Sequence, residues 1–271
     1  MDRISRALEK NRQRRSQPVR PRPAPVEIPR PASASQALTS LEYTRTRQVS
    51  VPQSTLSENR VVAGNQSDPR AAAFKILRTQ VLHSMRKNDW NSLAIVGPQA
   101  GVGKSLVAAN LAVSMSLEVN QTVLLVDLDL RKPSLHSYFG FVPEYGILEY
   151  LRGEVKLEQV LVNPNFKRLV MLPCKGTSIE SSEMLSSPQM IALVKELKNR
   201  YPNRLILFDL PPLLTLDDAL VFIPNVDATL LVVENARNTE SDVNKSIRML
   251  SGTNLIGTVL NKGEDETADY Y

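Results

Sequence analysis

The chain has 271 residues, 42% of them hydrophobic, enough to bury one sizeable core. Its formal charge of +5 is uneven: residues 1–60 hold twelve Lys or Arg against five Asp or Glu, which leaves the remainder at −2. No stretch reaches the roughly 18 consecutive apolar residues of a membrane span, and the Arg-rich residues 12–22 have no apolar run behind them, so neither a span nor a secretory leader is expected and the chain reads as cytoplasmic. A single cysteine, Cys174, excludes an internal disulfide and a thiolate metal cluster and reads as a core or loop thiol.

In chain order, residues 1–67 read as a basic, Pro-rich, disordered tail. Pro18, Pro21, Pro23, Pro25, Pro29 and Pro31 alternate with Arg20, Arg22 and Arg30, a composition that prevents helix and favours an extended linker. Within it, Ile4, Ala7 and Leu8 share a helical face, so a short amphipathic helix over 2–10 competes with a solvated segment. A nucleic-acid partner is not expected, because the arginines lack interleaved aromatics and a reading motif. The domain occupies 68–262 and alternates helix with strand. Helices are expected over 69–87, 103–119, 183–200 and near 240–250, and strands at 93–96, 123–126, 168–172, 205–208, 228–233 and 255–260. Such alternation defines an α/β fold with three layers, a mostly parallel sheet covered by helices on both faces. An acidic tail, 263–271, ends in Tyr270 and Tyr271.

Three polar motifs follow three of these uncharged runs, which places them at the carboxyl ends of neighbouring strands, where open α/β sheets bind ligands. The first, Pro98-Gln99-Ala100-Gly101-Val102-Gly103-Lys104-Ser105, is a phosphate loop with proline where the strict pattern has glycine. Gly101 and Gly103 let the backbone approach an anion, Lys104 reaches the β- and γ-phosphates, and Ser105 offers its hydroxyl to Mg²⁺. The second, Asp127-Leu128-Asp129-Leu130-Arg131, and the third, Asp209-Leu210-Pro211-Pro212, supply oxygen ligands for a Mg²⁺–nucleotide. Asp217 and Asp218 are expected to cap a helix beginning near Leu216. His83 and His136 have no partner pattern, and Tyr138, Tyr145 and Tyr150 read as packing residues near the sheet edge.

Together the Walker A loop at 98–105, the Asp127-x-Asp129-x-Arg131 motif (Walker A′) and the Walker B Asp209-x-Pro211-Pro212 make the chain resemble a bacterial tyrosine kinase of the capsule and exopolysaccharide type, within the MinD/ParA-like deviant P-loop ATPases. Leu77-Arg78-Thr79, the segment Gly146 to Gly153, Leu172-Pro173 and the segment Glu183 to Met190 extend the resemblance over about residues 68–262. Gln99 stands where MinD and ParA carry their signature lysine, which argues against a ParA-like DNA-partitioning role. Where the family carries the Glu-x-x-Arg-x-x-Arg helix that builds its ring, this chain has Ala72, Lys75 and Arg78, and only the last keeps the family residue.

The resemblance implies ATP and Mg²⁺ as cofactors. It implies nucleotide binding by Gly101, Val102, Gly103, Lys104, Ser105 and Leu106, with Asn261 and Lys262 near the adenine. Ser105, Asp127 and Asp209 are then directed to the metal, Lys104 and Arg131 offset phosphate charge, Asp127 acts as base, and Asp129 assists the metal or its waters. Tyr270 and Tyr271 become the autophosphorylation sites, used in trans. The implied partners are the cytoplasmic segment of a membrane chain-length regulator, or polysaccharide co-polymerase, and further copies of the chain; that partner would hold it at the inner face of the membrane. A second reading is an ATPase switch in the same machinery without kinase activity.

Overall fold

The structure is a computed structural model and describes residues 46–201 and 203–263; the expected helix at 2–10, the Pro-rich stretch, Tyr270 and Tyr271 lie outside the described residues. Eight strands form one sheet: β1 (Arg47–Gln48), β2 (Ser92–Val96), β3 (Thr122–Asp127), β4 (Val162–Asn163), β5 (Leu169–Leu172), β6 (Arg204–Asp209), β7 (Ala228–Glu234) and β8 (Leu255–Asn261). Their order is β1-β4-β5-β3-β6-β2-β7-β8, parallel throughout except between β4 and β5. Buried on both faces, β2 and β3 have no exposed residue and hence no polar alternation, which is why they read as continuous apolar runs.

The helices are α1 (Gln53–Glu58), α2 (Ala71–Lys87), α3 (Lys104–Ser116), α4 (Leu135–Tyr138), α5 (Ile147–Leu151), α6 (Leu157–Val160), α7 (Ser181–Leu185), α8 (Pro188–Arg200), α9 (Asp218–Phe222) and α10 (Glu240–Met249). Leu93, Ile95, Val123 and Leu125 point to one face, where they pack with Met85 of α2 and Leu111 and Met115 of α3. Ala94, Val96, Leu124 and Val126 point to the other, against Leu193 and Leu197 of α8 and Phe222 of α9. The expected three-layer arrangement is therefore the one that forms.

Two expectations need correction. The single helix expected over 183–200 is two, α7 and α8, because Pro188 lacks an N–H to continue α7 and instead opens α8, with the Ser187 hydroxyl accepting from the Met190 amide at 3.2 Å. The tail expected to run to residue 67 ends earlier, since residues 46–67 belong to the folded domain. Leu56, Val61, Val62 and Ala63 are buried, and Asn110 of α3, itself fully buried, accepts from the Val62 and Ala63 amides at 2.8 and 3.0 Å. Four apolar side chains at irregular spacing carry no periodic signal. Contacts distant in sequence fix this segment: Asn110, the pairing of β1 with β4, and the burial of those four side chains.

Candidate functional site

β3, β6 and β2 lie side by side, and their register brings the motifs to one rim: Asp127 pairs with Asp209 across β3 and β6, and Ile95 of β2 pairs with Asp209. The phosphate loop leaves β2 and enters α3 at Lys104. Gly101 has φ of +81° and Gly103 of +96°, a region that only glycine enters without strain. A Cβ at Gly103 would collide with the Asn261 amide nitrogen. Gly103→Ala is therefore expected to weaken ATP binding at least about tenfold, or about 1.4 kcal/mol, as read by isothermal titration with the fold retained. Unaltered affinity would show that the loop does not need this conformation.

The loop is braced from the ends of β7 and β8. Asn261 donates to the Val102 carbonyl at 2.9 Å. Lys262 donates to the Gly101 carbonyl at 3.1 Å and to Glu234 at 2.8 Å, while Arg237 donates to the other Glu234 oxygen at 3.0 Å. The same Arg237 guanidinium stands 3.0 Å from where a Cβ on Gly101 would be. Asn261, expected near the adenine, is thus placed against the loop backbone. Glu234 and Arg237 were invisible in the sequence, because the pair acquires a role only when β7 and β8 lie beside β2.

Lys104 is buried, and its charge is felt by Asp129 and Asp209, in both cases lowering the carboxyl pKa. Burial dominates in the opposite direction. It pushes Asp209 up to about 7, and raises Asp127 well above the usual carboxylate range with the Asp209 charge adding to the rise. Asp129 is also raised, chiefly by burial. The Ser105 hydroxyl lies close enough to favour ionised Asp209, yet both Asp209 oxygens are buried with no hydrogen-bond partner among the described residues. Buried orphan acceptors are rare and costly, and a Mg²⁺ ion or its water shell is a chemistry that fits this pair.

Raised folded-state values carry a sign for stability. Asp209 and Asp127 favour the folded state while protonated, so their contribution is complete below the usual carboxylate pKa of 3.8; the Asp209 part is lost as pH rises through about 7, and the Asp127 part as pH rises through its own raised value. In thermal melts without ligand, the wild-type Tm is expected to fall from about pH 5 to pH 8, and to fall less in Asp209→Asn. Parallel profiles for the two proteins would contradict this account of the carboxylates.

Asp127 is held by backbone: its Oδ2 accepts from the Ser134 and Leu135 amides at 3.1 and 3.0 Å, and its Oδ1 from the Asp129 amide at 3.3 Å. Asp129 accepts from the Lys132 amide at 3.1 Å. Arg131 donates from Nε to both oxygens of the fully buried Asp218, at 3.1 and 3.3 Å. This corrects the capping role expected for Asp217 and Asp218. Asp218 sits inside the first turn of α9 as the anchor of Arg131, and Asp217, at the N-cap position, makes no side-chain cap bond and accepts from the Ser182 hydroxyl at 3.0 Å. Leu106 lies half-buried in the first turn of α3.

Elsewhere, Cys174 is buried, with its thiol pKa pushed up by burial, so it is a packed thiol rather than a nucleophile. On α2, Ala72 is exposed, while Arg78 turns inward to donate to the Ser114 carbonyl at 3.0 Å and pair with Glu118 at 3.3 Å. No helix among the described residues is long and apolar enough to cross a membrane.

A phosphate loop facing two strand-end carboxylates in a parallel sheet defines a P-loop nucleotide-binding domain. The CobQ/CobB/MinD/ParA nucleotide binding domain family matches residues 93–270, and the chain belongs to that family. Within the curated relatives it is similar to EpsB of Ralstonia solanacearum, named as a tyrosine-protein kinase, at 33% identity over 205 residues, covering 75% of this chain and 27% of EpsB. It is 29% identical over 201 residues to CapB of Staphylococcus aureus, also named as a tyrosine-protein kinase, covering 73% of this chain and 87% of CapB. The kinase domain of the Escherichia coli tyrosine kinase ETK superposes with a TM-score of 0.70 at 29% identity, over 78% of this chain and 82% of that domain. The chain thus spans about a quarter of the length of EpsB and most of CapB.

Proposed function

We propose that this protein is an ATP-dependent protein-tyrosine kinase that phosphorylates its own C-terminal Tyr270 and Tyr271, in trans between copies of the chain, and thereby regulates exopolysaccharide or capsule synthesis or export. The observation that carries the reading is the pairing of the braced phosphate loop with Asp127 and the orphaned Asp209, in a chain whose relatives EpsB and CapB are named as tyrosine-protein kinases.

Mg²⁺, when bound with ATP, would supply positive charge that offsets the charge developing on the phosphates. Ser105 and Asp209 would hold it, directly or through water, with Asp129 orienting its waters. Lys104 stabilises the transferring phosphoryl group and Arg131, steadied by Asp218, adds a second positive charge near it. A tyrosine hydroxyl, with a pKa of about 10, must lose its proton as its oxygen bonds to the γ-phosphorus and the bond to the β–γ bridging oxygen breaks. Asp127 accepts that proton. Burial raises its pKa above the usual carboxylate range, which makes the ionised group a stronger base than an ordinary carboxylate.

The same reading supplies partners: the cytoplasmic segment of a membrane chain-length regulator, which would recruit the protein to the inner face of the membrane, and further copies of the chain. Arg78, turned into its own domain beside Ala72, favours as second reading an ATPase switch without tyrosine phosphorylation. The two separate on one comparison. Wild type incubated with Mg²⁺–ATP should react with anti-phosphotyrosine antibody, and the double variant Tyr270→Phe, Tyr271→Phe should not. ADP release without phosphotyrosine in either protein would select the switch.

A further inference from the structure

The helix α4 is a single turn, opened by the Ser137 and Tyr138 amides, which donate to the Ser134 carbonyl at 3.0 and 3.3 Å, and closed by the Gly140 and Phe141 amides, which donate to the Ser137 and His136 carbonyls at 3.0 and 3.2 Å. So short a helix has no stability of its own, and its position is set by whatever holds its two ends. At its start, the Ser134 and Leu135 amides donate to Asp127. At its finish, Asn59 adds a side-chain donor to those backbone bonds, from Nδ2 to the Ser137 carbonyl at 2.9 Å and to the Tyr138 carbonyl at 3.2 Å.

Asn59 in turn sits on a strap fixed to the phosphate-loop helix. The next carbonyl, that of Arg60, accepts from Asn110 of α3 at 2.9 Å, and the same Asn110 nitrogen donates to the Leu106 carbonyl at 3.0 Å, one residue beyond Ser105. Arg60 has φ of +59°, a left-handed kink that lets adjacent residues address two different elements. Gly140, just past α4 with φ of +65°, leaves room for Thr55 of the strap, which a Cβ there would strike. Asn59 therefore stands between two structural chains, one running through α4 to Asp127 and the other through Asn110 to the helix that carries Lys104 and Ser105.

We infer that Asn59 is a positioning residue for phosphoryl transfer: by gripping the far end of α4 it sets where Asp127 stands relative to the phosphate loop. The functional half rests on the proposed role of Asp127 as proton acceptor; the structural half does not.

The test uses the full chain with Asn59→Asp, which keeps the shape and loses the donor, and Asn59→Gln, which keeps the donor. In Asn59→Asp, kcat for tyrosine phosphorylation should fall roughly tenfold while KM for ATP stays within about twofold, and Asn59→Gln should recover most of the loss. Amide exchange should accelerate over residues 134–141 and stay as in wild type over 104–116. Unchanged exchange at 134–141, or acceleration spread evenly over the domain, would overturn the inference. Should wild type form no phosphotyrosine, the kinase reading fails separately: the exchange pattern alone then decides the positioning claim, local acceleration upholding it and unchanged exchange removing it.

Discussion

Lys104→Met is expected to lose phosphoryl transfer by at least about a thousandfold, because the charge that stabilises the transferring group disappears from a site where water cannot replace it. The stem of Lys104 is buried, and methionine fills a comparable apolar volume, so the domain should fold. A second consequence follows from the two carboxylates that Lys104 faces. Asp129 and Asp209 lose the charge that lowers their pKa values, so both rise further, and Mg²⁺ must compete with protons for Asp209. Phosphotyrosine formation and ADP release should vanish together. Turnover at the wild-type rate would undo the phosphate-loop assignment.

Asp127→Asn is expected to lower transfer to tyrosine by about a hundredfold or more, the usual weight of general base catalysis, with ATP affinity little changed. Asparagine is close in shape, and its carbonyl oxygen can still accept from the Ser134 and Leu135 amides, so α4 should keep its place. The capacity to take a proton is removed, together with the negative charge and the long 3.3 Å bond from the Asp129 amide, which would face the new Nδ2. The measurement is single-turnover phosphorylation at saturating Mg²⁺–ATP, with nucleotide binding followed in parallel. Wild-type transfer in this variant would show that another group, or water, receives the tyrosine proton.

Six of the eight strands and the three motifs were legible, because a strand buried on both faces leaves an uncharged run and three of these runs end in a polar cluster, whereas the two-residue β1 and β4 are too short to leave a pattern. Helix ends were legible where a cap or proline marks them, yet Pro188 was read through, since the apolar spacing of 184, 185, 190 and 191 continues across it while the backbone does not. The residues that hold the site in place were not legible. Asp218 looked like a cap because it precedes a helix, and its partner Arg131 lies 87 residues away in sequence. Glu234 with Arg237 and Lys262 meets the phosphate loop only after β7 and β8 have paired. Residues 46–67 lack apolar periodicity and are held by contacts distant in sequence, among them the hydrogen bonds with Asn110 and the pairing of β1 with β4, so composition assigned them to the tail.

The central claim is that this phosphate site transfers phosphate to tyrosine on the protein itself. Intact mass and phosphosite mapping of wild type and Lys104→Met, after incubation with Mg²⁺–ATP and the cytoplasmic segment of a neighbouring membrane regulator, tests it most directly. The account predicts phosphate on Tyr270 or Tyr271 in wild type and none in Lys104→Met. ATP consumed by wild type with both tyrosines unmodified would contradict it and leave an ATPase switch in its place.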